Sequence, residues 1–288
     1  MTNEEKLPFQ VMSASALRTF MNSRSEHEYE LVDVRERDEY GERHLPGARL
    51  LPLSELEDNL DQVRADKHTI FYCGSGMRSE RAAAFIAEKL GLKDLYSLRG
   101  GLVAWDGDTL PDFPHMHVFD DSGSIEEVVL RAMDLEKGAE RLYETLLNYF
   151  ESSAVQVPLR KLLDAEEAHG RLLHGLLTKV AAAPPKPFDE LYASMKGDVL
   201  ESGETYEQVL NKVKGIPPEK RWALLELALD MEFHAYDLYR NLAARHHGTE
   251  LEDVLLKLAM QEKLHFRMVL EAMGALAAER KQSSTSSP

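Results

Sequence analysis

Hydrophobic and polar positions change their rhythm once along this chain. Up to about Val103, short apolar runs alternate with segments of helical period. Glu30–Val34, Ala48–Leu51 and Thr69–Cys73 predict buried strands; Ala14–Met21, Ser79–Leu90 and the short Leu102–Trp105 predict helices. Strands alternating with helices are the pattern of an α/β domain built on a largely parallel sheet. Residues 106–121, with DGDTLPD, Pro111 and Pro114, read as a linker. Beyond it the period is helical throughout. Ser124 with Glu127 is a capping box opening an amphipathic helix to about Glu151. Pro158 is expected in the first turn of a second helix, to about Val180. Residues 181–218 read as a long crossover with one or two short helices. A third helix then runs to about Arg245, and Gly248–Thr249 turn the chain into a fourth that ends near Ala278. The expected organisation is an α/β domain over 1–110, a linker at 111–123, an all-α four-helix bundle over 124–280 and a disordered Ser-rich tail at 281–288.

Composition narrows the partners. The 288 residues carry 34 Lys and Arg against 50 Asp and Glu, a net charge of −16 shared by both halves. So acidic a surface repels phosphate backbones and anionic headgroups, so neither nucleic acid nor membrane is expected as a partner. The N-terminus is polar without a signal-peptide pattern and no apolar run is long enough to span a bilayer, which makes the cytoplasm the expected location. The single cysteine, Cys73, excludes a disulfide framework and cysteine-held zinc or iron–sulfur centres.

The helical half contains a repeat. Ala132, Asp134, Glu136, Ala139, Leu142 and Tyr143 recur 96 residues later as Ala228, Asp230, Glu232, Ala235, Leu238 and Tyr239. Glu166 and His169 recur at the same offset as Glu262 and His265. One register across both helices of each hairpin predicts two copies related by a pseudo-twofold. Residues three apart on a helix are about 60° apart around the axis, so each Glu–His pair shares a face. Four Glu and two His projecting into a bundle are the donor set of a di-iron or di-manganese carboxylate centre. Two divalent cations would cancel four carboxylates that are costly to bury alone. A single Glu-x-x-His is usually only a solvated helix face; two in register, each 30 residues after a Glu, are not. Tyr143 and Tyr239, seven residues after their Glu, are expected as core aromatics whose hydroxyls reach the ligands.

These residues, with Glu136-Lys137-Gly138-Ala139 and the long crossover, resemble a rubrerythrin-type, ferritin-like domain over about 124–279. The resemblance implies a di-iron centre that reacts with peroxide or dioxygen. It places Glu136 and His169 on one iron, Glu232 and His265 on the other, and Glu166 and Glu262 between them; manganese is the alternative metal. Two departures accompany it. The family's four-cysteine rubredoxin module is missing, so electrons would come from an external donor. Ala235 also stands where the family has a second carboxylate one turn after the third-helix Glu. Bundles of this kind are often homodimers.

Cys73 ends an apolar run and is followed by Gly74, Ser75, Gly76, Met77, Arg78 and Ser79, then a helix. A strand, a glycine-containing loop and a helix N-terminus aim backbone N–H groups at one point, where an anion on sulfur would sit and the thiol pKa would fall. An inert buried cysteine is the plainer alternative, and two loop glycines argue against it. Asp33-Val34-Arg35, His44 to Ala48, the Cys73 loop, Gly100-Gly101 and Trp105 together resemble a single rhodanese domain over about 8–111. That resemblance implies sulfane-sulfur transfer through a Cys73 persulfide, held by the amides of residues 74–78. The six-residue loop from Cys73 to Arg78 is the form that fits sulfur. Asp33 is expected to brace the loop, and Arg78 to pair with it or to attract an anionic donor. With no second cysteine, the acceptor would be external, a thiol or a cyanide-like nucleophile, and the donor a small molecule. An iron-binding or sensing protein with a sulfur-delivery domain is the alternative function.

Overall fold

The computed structural model describes residues 7–119 and 123–285, with the side chains of 280–285 left aside. The chain divides into two compact units, 1–114 with 239–245 and 115–238 with 246–288. The division after Pro114 lies inside the expected linker; the grouping of 239–245 with the N-terminal unit has no signal in the linear pattern.

The N-terminal unit is a five-stranded parallel sheet in the order β1-β5-β4-β2-β3. Its strands are β1 (Gln10–Met12), β2 (Tyr29–Asp33), β3 (Ala48–Leu50), β4 (His68–Tyr72) and β5 (Leu95–Leu98). Its helices are α1 (Ala14–Ser23), α2 (Arg37–Glu42) and α3 (Met77–Leu90). Neighbouring residues of each strand face opposite ways, so two cores form. Val32, Phe71 and Leu95 pack with Ala82 and Ile86 of α3. Leu31, Ile70 and Leu98 pack on the other face with Leu17 of α1. A parallel sheet covered on both faces requires such apolar runs in its central strands. The three strands read from sequence are present within a residue or two. The expected short helix after Leu102 is a 3₁₀ turn over Gly101–Ala104.

The helical unit contains α4 (Ile125–Leu147), α5 (Ser153–Val180), α6 (Phe188–Ser194), α7 (Tyr206–Gly215), α8 (Trp222–Arg245, residues 239–245 of which group with the N-terminal unit) and α9 (Glu250–Thr285). The capping box forms: Ser124 Oγ accepts the Glu127 N–H, and Glu127 accepts the Ser124 N–H in return. Leu146, Leu159, Leu225 and Val269, one from each long helix, share a core that Leu200 and Val209 of the crossover complete. Three expectations are corrected. Pro158 does not open α5, which starts five residues earlier, because Ser152 caps it by accepting the Ala154 N–H and buried Val155 anchors its first turn. Pro158 therefore sits inside the helix, at the loss of one backbone hydrogen bond. The fourth helix runs past Ala278 to Thr285, so 281–285 of the expected disordered tail are helical; 286–288 lie outside the described residues. No helix among the described residues is long and apolar enough to cross a membrane.

Candidate functional site: a thiol loop and a buried carboxylate–histidine cluster

Cys73 follows the central strand β4 directly, at the C-terminal edge of the sheet, where open parallel sheets hold their ligands. The thiol is buried. The Gly76 N–H donates to Sγ at 3.1 Å, and the Ser79 hydroxyl lies 3.7 Å away. Ser79 Oγ is itself fixed by Gly76 C=O at 2.9 Å and Ser97 Oγ at 2.8 Å. Burial alone would push the thiol up. The backbone and hydroxyl of Ser79, with the N–H groups of Gly76 and Ser75, outweigh it and hold the thiol below its ordinary value of 9.0. The loop backbone is pinned from behind, since Leu102 N–H donates to Cys73 C=O at 2.8 Å and Val103 N–H to Gly74 C=O at 3.0 Å. That approach requires glycine at 101, where a Cβ would stand 2.1 Å from the Cys73 carbonyl oxygen.

Two charged pairs frame the loop. Asp33 is fully buried and bound by Arg35 through Nε at 3.0 Å and Nη2 at 2.6 Å, while Arg35 also donates to the carbonyls of Glu39 and Arg43. Arg78 pairs with Glu39, not with Asp33, by two hydrogen bonds of 2.6 Å. That bidentate contact holds the Glu39 carboxyl at about 2. Met77 begins α3 with an exposed side chain.

In the helical unit, Glu136 of α4, Glu166 and His169 of α5, Glu232 of α8, and Glu262 and His265 of α9 converge. All six are buried, with exposures of 1–4%. They form two overlapping groups, Glu136–Glu166–His169–Glu262 and Glu166–Glu232–Glu262–His265, each with donor atoms within 4.8 Å of one another. His169 Nδ1 lies 3.0 Å from Glu136 and 3.3 Å from Glu262; His265 Nδ1 lies 3.0 Å from both Glu232 and Glu262. The two rings stack with centroids 5.1 Å apart. The Tyr143 hydroxyl donates to Glu232. Tyr239 is buried on α8, two turns beyond Glu232.

Electrostatics tests whether this set fits metal ions. Burial, with Glu262 and Glu136 nearby, pushes Glu166 well above the usual carboxylate range. Burial likewise holds Glu262 up, against the pull of His169. Burial would lower His265, but Glu232 and Glu166 push it up to about 9. The group thus favours any positive charge at its centre, proton or metal. Four carboxylates and two imidazoles, with two carboxylates common to both groups, fit a pair of divalent transition-metal ions. A small cavity beside them is lined by Glu166, Glu232, Glu262, Tyr143 and Ala235, and by one acidic residue from the crossover, Glu201.

Comparison with known proteins places both halves. The rhodanese-like domain family matches residues 13–108, and the rubrerythrin family matches 223–287. The putative sulfurtransferase YtwF of Bacillus subtilis (strain 168) is 32% identical over 100 residues, 35% of this chain and 93% of that protein. The chain belongs to the rhodanese family. Its rhodanese domain is also similar to thiosulfate sulfurtransferase GlpE of Coxiella burnetii (strain RSA 331 / Henzerling II), at 33% identity over 26% of this chain and 69% of that protein. It is 41% identical to protein YqhL of Bacillus subtilis (strain 168) over 78 residues, 27% of this chain, and spans only 61% of YqhL. A solved rhodanese-related protein from Thermoplasma volcanium is 25% identical, covers 35% of this chain and 97% of that one, and has a TM-score of 0.32. The rubrerythrin match covers α8 and α9, so this rhodanese chain carries a rubrerythrin domain as well.

Two residues of the rhodanese-family chain escaped sequence reasoning. Glu39 lies in α2, six polar-rich residues with no apolar period, and nothing in the sequence ties it to Arg78 across 39 positions. Glu201 sits in GDVLESGE, a stretch that reads as surface loop and lies outside the 96-residue repeat.

Proposed function

We propose that this protein is a sulfurtransferase that carries sulfane sulfur as a Cys73 persulfide, joined on one chain to a carboxylate-bridged di-iron centre. The observation that carries the reading is the Gly76 N–H and Ser79 hydroxyl converging on a buried thiol whose pKa lies below its ordinary value. With thiosulfate as donor, the Cys73 thiolate attacks the sulfane sulfur. A sulfur–sulfur bond to Cys73 forms, the bond to the sulfonate breaks, and sulfite leaves with the electron pair. An external thiolate or cyanide then attacks the outer sulfur, and Cys73 leaves as thiolate. The amides of Gly74, Ser75, Gly76, Met77 and Arg78 and the Ser79 hydroxyl hold the anionic sulfur. Arg78, neutralised by Glu39, positions the loop, and the Asp33–Arg35 pair braces it.

In the helical unit, Glu136 and His169 would hold one ion, Glu232 and His265 the other, with Glu166 and Glu262 shared. Iron bound there supplies electron transfer to peroxide or dioxygen, with electrons from an external donor; manganese suits the same ligands. Tyr143 orients Glu232 through its hydrogen bond. The near-complete burial of all six donors favours a second reading, in which the centre holds or reports iron while the rhodanese domain delivers sulfur.

Cys73→Ala tests the first part: thiosulfate-to-cyanide transfer should vanish and the protein's persulfide signal by mass spectrometry with it. Retained transfer would sink the reading. Peroxide consumption by the iron-loaded chain with a chemical reductant separates the two roles of the centre.

A further inference from the structure

Glu201 reaches the buried cluster from outside the four long helices. It lies in the connection between α6 and α7, at the tip of a tight turn closed by Gly203 N–H donating to Leu200 C=O at 2.8 Å. Leu200 N–H donates to Glu204 C=O at 2.9 Å, and Val199 bridges Thr205, so residues 199–205 form a small antiparallel hook.

The hook is fastened to α4. The Asp134 carboxylate accepts the N–H groups of Lys196 and Gly197 at 3.0 Å each, and Arg141 donates to Gly197 C=O at 2.9 Å. Between those residues is Gly138, where a Cβ would stand 2.8 Å from the Val199 carbonyl oxygen. Glycine there lets the hook lie flush on the helix, two residues from Glu136. The matching position of the repeat is His234, so the hook serves one half of the pseudo-twofold only.

The tip is driven inward. Leu200 is fully buried and Glu201 is 3% exposed. Glu201 lines the same cavity as Glu166, Glu232 and Glu262, beside the small side chain of Ala235. Burial and the charges of Glu136 and Glu232 oppose its ionised form, which its own backbone N–H and the charge of His169 favour. A buried carboxylate is strongly disfavoured, and more so beside four others. The fold nevertheless spends two charged residues and a helix glycine on fixing it there.

We propose that Glu201 is a fifth acidic ligand of the metal centre, delivered by the crossover hook to the coordination side flanked by Ala235. The inference rests on the metal reading above. Four carboxylates balance two divalent ions, so a fifth favours the state in which one ion has lost an electron.

The test uses the full-length chain loaded with iron, crystallised in the diferrous and oxidised states, with iron located by anomalous scattering. A Glu201 oxygen should lie within bonding distance of an iron in at least one state. Glu201→Gln should still bind two irons, at roughly tenfold or more weakened affinity in the oxidised state, with an altered ferric absorption spectrum and a more positive midpoint potential; Glu201→Asp should restore part of each. Iron on the six expected residues with Glu201 apart in both states overturns this inference alone. A wild-type chain that takes up no iron overturns the metal reading and this inference together.

Discussion

Cys73 is under two opposed influences, burial and hydrogen-bond donation. Burial raises a thiol, and here N–H and O–H donors reverse the sign. The thiolate is therefore present above the folded pKa and is lost as pH falls through it; the same shift favours the folded state at alkaline pH and withdraws that support below it. Ser79→Ala should move the titration upward while leaving the backbone donors in place. Thiolate ultraviolet absorbance, referenced to Cys73→Ala to subtract the tyrosines, reads this from a single thiol, because the chain has one cysteine. An unmoved midpoint would assign the whole effect to the backbone. The thiol loop was legible because its chemistry is local: cysteine, glycines and helix start are consecutive. Glu39 was not, because its partner Arg78 is adjacent only after β2 and β4 pair in parallel and bring α2 beside the loop.

Among the elements, α4 shows how packing overrides propensity. Gly138 lies mid-helix, where alanine is intrinsically better by about 1 kcal/mol. Its Cβ would meet the Val199 carbonyl at 2.8 Å, and backbone gives way poorly, at a cost of roughly 1–3 kcal/mol for overpacking. Gly138→Ala should therefore lower stability in urea denaturation by about 1 kcal/mol, the reverse of the propensity scale. A stabilised variant would mean that the hook moves freely. The four long helices were legible from period, caps and repeat, and the six converging donors from the repeat alone. The elements missed are those too short to show a period: β1 with three residues, β5 with four and α2 with six. The start of α5 was misplaced because Pro158 is a strong start signal, and only tertiary burial of Val155 shows that the helix is already under way.

For the molecule as a whole, metal held by the six buried donors would tie stability to metal supply. An ion that binds only the folded state stabilises it by about 2.7 kcal/mol at a hundred times its Kd. Ferrous iron should raise the thermal midpoint of the helical unit and a chelator should reverse the rise. Cys73→Ala should leave that response intact, while Glu262→Ala should abolish it; a midpoint indifferent to iron would count against the centre. The crossover hook has a further consequence, for how such a centre can diverge. A donor on a helix is quantised, since each one-residue insertion swings it by about 100° around the axis. A donor on a hook can be lengthened, shortened or turned by small steps without disturbing the register of the other six. Sequence change in residues 196–206 is thus an inexpensive route to new metal preference or redox poise on an unaltered bundle.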